Sequence, residues 1–145
     1  MDIANLLHAL NNENNEAVVD LDYATIAKHK NDLLQQLNLP REELMKLHKQ
    51  LKPYRCVNTL ADLRFGGYVR WISLKNPAII KLTNGGIVCD IQEKNADIHV
   101  KCKNKMNMLF QLKLSEVILF QKLSEQEQVI LKALTYIGGH PLTPA

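Results

Sequence analysis

Residues 65–122 constrain the fold most strongly, because their apolar residues recur mostly at every second position. This period is typical of half-buried β-strands, whose successive side chains point to opposite faces of a sheet. Gly, Pro and Asn interrupt the stretch at short intervals, as tight turns require. We therefore predict several short antiparallel strands that curl into a small five-stranded barrel.

Six segments compete for the five strands of this barrel. They are residues 68–72, 78–82, 87–91, 97–103, 106–112 and 117–121. The surplus segment is expected to be 78–82, as half of a curved strand or one arm of a long hairpin. A hairpin from 78–82 to 87–91 has the clearest local signal, because Asn84-Gly85 supplies the positive φ angles of a tight turn. Trp71 is in phase with Val69 and is predicted to pack inward. Residues 54–64, which precede the first strand, are predicted to be a connector.

Helical periodicity dominates on both sides of this stretch. Residues 20–51 predict a helical hairpin, with Asp20 or Asp22 capping its first helix and Pro40 opening its second. The apolar stripe of this hairpin must dock on the barrel or on a second copy of the protein. Residues 124–137 predict a last helix that starts with a capping box of Ser124 and Glu127 and covers one end of the barrel.

The expected organisation is an α+β protein in five parts. The parts are a short helix and linker at 1–19, the helical hairpin at 20–53, the barrel at 54–123, the capping helix at 124–138 and a flexible tail at 139–145. Residues 3–10 have a helical stripe of apolar residues, but the Asn-rich segment that follows competes with helix through local hydrogen bonds. We therefore expect the first helix to be mobile or to pack on another chain.

Charge is distributed unevenly along the 145 residues. The net charge is +3, yet residues 52–122 carry twelve Lys and Arg against five Asp and Glu, a net charge of +7. A local excess of positive charge favours polyanions or acidic protein surfaces. No apolar run approaches the length of about 20 residues that a membrane-spanning helix needs. The first residues also lack the pattern of a signal peptide, so we expect an intracellular protein without membrane association.

We find no pattern of catalytic or metal-binding residues. The five histidines are not paired at metal-ligand spacing, and the glycine pairs precede strands, whereas phosphate-binding loops precede helices. The three cysteines, Cys56, Cys89 and Cys102, are odd in number and widely spaced, and we expect buried, unreactive thiols. We accordingly predict a protein that is not an enzyme, with no catalytic residue, no metal site and no cofactor.

Two sets of residues in the predicted barrel are candidates for binding. The first set is cationic and could follow a phosphate backbone; it comprises His99, Lys101, Lys103, Lys105 and Arg70. In segment 97–103 these residues alternate with apolar ones and are predicted to face water, so the alternative is an ordinary solvated basic face. The second set is aromatic and could stack a base or surround a methylated cation at the barrel mouth; it comprises Tyr54, Phe65 and Tyr68. Its alternative is that most of these aromatic side chains belong to the core.

Several short motifs resemble an uncharacterised family of proteins encoded by giant DNA viruses of amoebae, such as marseilleviruses and mimiviruses. The motifs are YRCV at 54–57, GYVRWI at 67–72, LTNGG at 82–86 and FQKL at 120–123, within a resemblance that covers residues 25–137. The middle of the chain also resembles SH3-like and Tudor-like barrels, in which a Gly-aromatic first strand and a Gly-rich hairpin recur. That likeness implies a recognition module, although Arg70 lies where a Tudor cage usually has an acidic residue.

These observations predict a non-enzymatic viral protein, associated with the virion, that binds nucleic acid, chromatin or a viral or host protein. The alternative is a structural virion component built on homo-oligomers of the N-terminal helices. The expected locations are the virion and, during infection, the host cytoplasm or nucleus.

Overall fold

The computed structural model describes residues 3–12 and 22–137, which form an α+β fold of helices flanking an antiparallel sheet. The helices are α1 (Ile3–Asn11), α2 (Tyr23–Gln35), α3 (Arg41–Gln50) and α4 (Glu125–Ile137). The strands are β1 (Tyr54–Val57), β2 (Tyr68–Ser73), β3 (Gly86–Lys94), β4 (Asp97–Lys103), β5 (Leu109–Lys113) and β6 (Val117–Lys122). The predicted linker from residue 13 to 19, Asp20 and the tail at 139–145 lie outside the described residues.

The six strands form one open sheet in the order β1-β6-β2-β3-β4-β5. Strand β6, the last in sequence, lies between β1 and β2 and is antiparallel to both. Within the described part of the chain, β1 and β5 are the two edges and do not pair with each other. The predicted closed barrel of five strands is therefore wrong. The antiparallel sheet of short strands between helices is confirmed.

Residues 78–82 do not form the predicted strand or hairpin. Only Leu82 pairs, through an isolated bridge to Ile72 of β2. Gly85 has a positive φ of 83°, and a Cβ atom there would lie 2.0 Å from the carbonyl oxygen of Val69. Gly85 thus serves the close approach of this segment to β2, and β3 pairs with β2 directly. The predicted connector at 54–64, in turn, contains β1.

The two faces of the sheet bury different cores. The inner face holds Val69, Val88, Val100, Cys102, Leu112 and Leu119, all buried. Trp71 packs against this cluster, with its ring centroid 6.3 Å from that of Phe110, as its phase with Val69 predicted. On the outer face, Ile72 and Phe120 pack against Leu34, Leu47 and Leu51 of the helical hairpin. The apolar stripe of the hairpin therefore docks on the sheet of its own chain.

Helix α1 packs on α4 within the same chain, which corrects the expectation of a mobile or externally packed helix. Ala9 is fully buried with Ile130 and Leu131 of α4, and Ile26 of α2 joins this cluster. The predicted helix cap is confirmed, since the amide of Glu127 donates to Ser124 Oγ (3.1 Å) and the amide of Ser124 donates to a Glu127 oxygen (3.0 Å). Asp22 caps α2 by accepting from the amide of Thr25 at 2.7 Å.

A buried polar cluster joins α4 to β1 and β6. The carboxylate of Glu127 accepts from Arg55 Nε at 3.0 Å and lies 3.4 Å from Arg64 Nε. Gln121 accepts from the main-chain amide of Arg64 at 2.7 Å and donates to its carbonyl oxygen at 2.6 Å. Because Arg55 and Glu127 are both buried, their charges are compensated within the protein rather than by water.

The cysteines differ in burial. Cys102 is buried on the inner face and Cys56 is partly buried, and burial raises the pKa of each thiol to about 12. Cys89 is exposed, contrary to the expected burial, because the preceding residue Val88 faces the inner core and Cys89 projects to the opposite face. The register shift between Val88 and Asp90 is a bulge that reverses the alternation and returns Ile91 to the inner face. No helix among the described residues has the length and hydropathy to cross a bilayer.

Candidate nucleic-acid interface

The outer face of the sheet divides into two halves. We call the β1-β6-β2 part, which α2 and α3 cover, the covered half, and the β3-β4-β5 part the open half. Across the boundary, Tyr68 pairs with Ile87, Ile87 with Lys103 and Lys103 with Leu109. Residues directly opposite in antiparallel strands project to the same face, so these four side chains form one row. Ile87 is 49% and Leu109 66% exposed, which shows that this row becomes open to solvent after Tyr68.

A groove of about 550 Å³ lies at the boundary between the two halves. Strands β1 and β2, the segment before β3 and the β4–β5 turn all contribute to it. Its lining residues are Tyr54, Tyr68, Arg70, Asn84, Gly85, Asn104, Lys105 and Met106. We call it the Arg70 groove. Its lining contains two cationic side chains and no carboxylate.

The local backbone holds Arg70 in position. Its Nε donates to the carbonyl oxygen of Thr83 at 2.7 Å, and the Thr83 amide donates to the carbonyl oxygen of Trp71 at 2.9 Å. A Cβ atom on Gly85 would lie 3.0 Å from Arg70 Cγ, so glycine leaves the space that the arginine stem occupies. Among the described residues, no Asp or Glu oxygen lies within 4 Å of the Arg70 or Lys105 nitrogens. The groove therefore has two positive charges without an acidic partner, and hydrogen bonding holds that of Arg70 in place.

The two tyrosines have different roles in the groove. Tyr54 is buried, and this burial raises the pKa of its hydroxyl, while the charge of Arg70 and a hydrogen bond to it act in the opposite direction. Tyr68 is partly exposed, and its hydroxyl donates to the carbonyl oxygen of Asn84. The hydrogen bond fixes the orientation of the Tyr68 ring. Of the two tyrosines, Tyr68 is thus the more accessible to a ligand in the groove.

Hydrogen bonds within the chain hold the β4–β5 turn in place without a ligand. The Asn104 side-chain oxygen accepts from the amides of Met106 (2.9 Å) and Met108 (3.0 Å), and the Asn104 amide donates to the Met108 carbonyl oxygen at 3.1 Å. Asn107 has a positive φ of 61°, a conformation that asparagine tolerates better than most residues. These bonds hold Lys105 and Met106, which is 78% exposed, at the groove.

The structure brings most of the predicted site residues together. Tyr54, Tyr68, Arg70 and Lys105 line the Arg70 groove. The residues His99, Lys101 and Lys103 lie on the adjoining outer face of β4, where Asp90 is opposite Lys101 and Gln111 Nε2 is 3.2 Å from His99 Nδ1. Phe65, in contrast, is exposed in the turn before β2 and does not line the groove.

The sequence did not indicate the polar and apolar residues that complete the site. Asn84 and Asn104 are recognisable as turn residues, but their hydrogen bonds to Tyr68 and to the β4–β5 turn require the fold. Residues 106–112 were predicted to be one strand, whereas β5 begins only at Leu109 because residues 104–108 form the turn. Leu109 is exposed because it projects from the outer face of the open half, which no described helix covers.

A second cleft of about 380 Å³ shares Arg70 and Asn84 with the groove. It adds Lys46 and Lys81, together with the acidic Glu43, so its charge is mixed.

Within residues 3–12 and 22–137, no group of three or more His, Cys, Asp or Glu side chains is arranged to hold a metal ion. Comparisons with protein families, curated proteins and solved structures find no match to this chain.

Proposed function

We propose that this protein binds nucleic acid, without catalysing a reaction, through the Arg70 groove and the adjoining open half of the sheet. The observation that supports this most directly is the row from Tyr68 to Leu109. Aromatic, apolar and cationic side chains alternate there on a surface that no described helix covers. Sheet surfaces of this composition suit nucleic acids, since bases stack on aromatic rings while phosphates pair with Lys and Arg.

The positive charges of the groove suit phosphate groups better than a protein carboxylate. Arg70 presents a planar guanidinium group, whose Nε already donates a hydrogen bond to the carbonyl oxygen of Thr83. Lys105 adds a compact positive charge to the same groove. Lys101 and Lys103 continue the positive charge onto β4. Since phosphate contacts release counterions, binding through these four residues would weaken as salt rises.

Arg70 argues against recognition of methylated lysine, which the likeness to Tudor barrels would suggest. A cage for a methylated cation needs aromatic rings without a competing positive charge. Here the Arg70 cation lies beside both tyrosines, close enough to shift the pKa of Tyr54. We therefore propose an anionic ligand for the Arg70 groove.

The viral setting of this activity is the part of the proposal that depends on sequence motifs alone. The motifs at 54–57, 67–72, 82–86 and 120–123 resemble proteins of giant DNA viruses. On that ground we propose a role with the viral genome or its host counterpart, in the virion or in the infected cell.

Fluorescence anisotropy of labelled DNA and RNA at low and high salt tests the proposal. We expect binding at low salt and a loss of affinity of at least about tenfold in the double variant Lys101→Glu/Lys103→Glu, because two phosphate contacts become repulsive. The matched control is Lys28→Glu/Lys132→Glu, which makes the same charge change on exposed positions of α2 and α4. An absence of binding at low salt, or an equal loss in the control, would contradict the proposal.

A structural role through self-association is a second candidate, supported by one observation. Ile3, Leu7 and Leu10 of α1 are exposed at helical spacing, while the other side of α1 packs on α4. A second copy could cover this stripe. Light scattering of the full chain over a wide concentration range tests the idea, with Leu7→Lys expected to shift any oligomer towards monomer. A wild-type protein that stays monomeric at high concentration excludes it.

A further inference from the structure

We infer that the ligand of the Arg70 groove is single-stranded nucleic acid, with one base against the Tyr68 ring and the backbone along Arg70, Lys105 and Lys103. This inference rests on the proposed function and narrows it to one class of nucleic acid. It follows from the recessed position of Tyr68, the positions of the cationic side chains along the sheet and the exposed apolar side chains between them.

The position of Tyr68 selects an unstacked base. Tyr68 is only partly exposed, and the β4–β5 turn and the segment before β3 stand around it as walls of the groove. Bases within a duplex are stacked on both sides and cannot enter such a recess unless they leave the helix, which costs a few kcal/mol. A single strand presents its bases without that cost. The ring itself is held by the bond from its hydroxyl to Asn84 and needs no reordering when a base binds.

The cations lie where a strand leaving the groove needs them. Arg70 and Lys105 line the groove, and Lys103 is two residues before Lys105 and directly opposite Ile87 in the row that starts at Tyr68. The row from β2 to β5 crosses three interstrand spacings, about 14 Å, which is room for a short segment of extended strand. Lys101 lies two residues further along β4 on the same face.

The apolar residues of the row point to exposed bases rather than to a continuous phosphate surface. Ile87 and Leu109 flank Lys103 on both sides and are exposed. The outside of a duplex offers charged phosphates and sugars, which would leave these side chains without a suitable partner. An extended strand has both phosphates and base faces, and it can satisfy the lysine and its two apolar neighbours together.

The discriminating experiment compares three fluorescent or competing ligands with the full chain at low salt. They are a single-stranded oligonucleotide, a duplex of the same length, and inorganic polyphosphate, which has charge but no bases. We expect the single strand to bind at least about tenfold more tightly than the duplex and polyphosphate. With Lys101 as the fourth cation beside Arg70, Lys103 and Lys105, four phosphate contacts predict a slope of about −3 for log K against log salt, from about −0.7 per contact for single strands.

Two substitutions of Tyr68 separate stacking from folding. Tyr68→Leu keeps an apolar side chain but removes the aromatic face, and it should weaken single-strand binding by about 5-fold to 150-fold, the range of one stacked base. Tyr68→Phe keeps the ring and should stay within about threefold of the wild type. If Tyr68→Leu fails to fold, photo-crosslinking of wild-type protein to a strand containing 5-iodouracil decides, with Tyr68 as the expected site.

The outcomes of these experiments distinguish the proposed nucleic-acid binding from the narrower inference of single-strand binding. If duplex or polyphosphate binds as tightly as the single strand and crosslinks avoid Tyr68, this inference is wrong, whereas a loss of affinity in Lys101→Glu/Lys103→Glu would still support the proposed function. If no nucleic acid binds at low salt, both are wrong. Preference for the single strand together with a crosslink at Tyr68 supports both.

Discussion

The covered and open halves are parts of the same sheet face, but they use their outward side chains differently. In the covered half, Ile72 and Phe120 are fully buried beneath α2 and α3. In the open half, Ile87 and Leu109 remain exposed and lysines lie between them. The inner face of the open half is buried through Val88, Val100, Cys102 and Leu112, so the open half has an apolar core without a cover on its outer face. Its outward side chains are therefore free to serve binding.

The boundary between the halves is where charge and aromatic surface meet. Tyr68 packs partly against the core of the covered half and also lines the Arg70 groove. Arg70, two residues later on β2, pairs with Phe120 of the covered half and projects into the groove. Rigid packing on one side can thus fix the orientation of binding residues on the other.

The largest expected effect comes from the buried polar cluster between α4 and strands β1 and β6. Glu127→Ala leaves Arg55 and Arg64 in a buried site without their carboxylate. We expect a loss of about 3–5 kcal/mol in the free energy of unfolding, the usual cost of breaking a buried pair. Urea unfolding followed by circular dichroism measures this. Glu125→Ala, an exposed position on the same helix, is the control, and equal losses in both variants would contradict the structural role of Glu127.

A pair of leucine truncations compares the halves directly. Leu34→Ala empties a fully buried site under the covered half and should cost about 2–5 kcal/mol. Leu109→Ala removes the same atoms from the open half and should change stability by less than about 0.5 kcal/mol. Both values come from chemical denaturation. A large loss for Leu109→Ala would mean that the open half contributes to folding, and the comparison between the halves would then fail.

Two glycines with nearly equal φ angles test the construction of the groove. Gly66 (φ 80°) has no atom within 4 Å of a built Cβ, whereas Gly85 (φ 83°) has the Val69 carbonyl oxygen at 2.0 Å. Gly66→Ala should cost about 1–2 kcal/mol from backbone strain alone. Gly85→Ala should cost a further 1–3 kcal/mol or so from steric overlap. Thermal and urea unfolding rank the two variants, and equal costs would contradict the close approach at Gly85.

The smallest expected effect is a pH dependence that arises from Cys102 on the inner face. Burial raises the pKa of this thiol from 9.0 to about 12, so the folded state keeps a proton that the unfolded state releases. The resulting stabilisation is complete below pH 9 and is lost as the pH rises towards 12. Cys102→Ala should reduce the loss of stability between pH 9 and 10 by up to about 1 kcal/mol. Cys89→Ala, at an exposed thiol, should leave it unchanged, and a wild-type slope in Cys102→Ala would contradict the assignment.

Features with short-range causes could be predicted from the sequence. The caps at Asp22 and at Ser124 with Glu127, the inward phase of Val100 and Cys102, and the docking stripe of the helical hairpin all follow from spacing within a few residues. The apolar content of residues 117–121 also favours a strand buried on both faces, and the central position of β6 between β1 and β2 agrees with this.

Features that depend on long-range pairing could not be predicted in this way. The alternation in 65–122 does not reveal that β6 pairs with residues 54–57, so the sequence suggested a closed barrel and a connector where an open sheet and β1 exist. Gly85 signals a turn in the sequence, but the reason for a glycine there is the carbonyl of Val69. Tyr54, Tyr68, Arg70 and Lys105 were each identified as candidates, yet only the fold brings them to one groove.

An amide chemical-shift titration of the full chain with a short single-stranded oligonucleotide shows directly whether the open half binds nucleic acid. We predict that the perturbed amides belong to the open half and the Arg70 groove, at residues 68–70, 84–88 and 101–109. Amides of α1, α2 and α4 should show little change. Perturbations that concentrate on those helices, or the absence of any perturbation at high oligonucleotide concentration, would contradict the assignment of the open half as the binding surface.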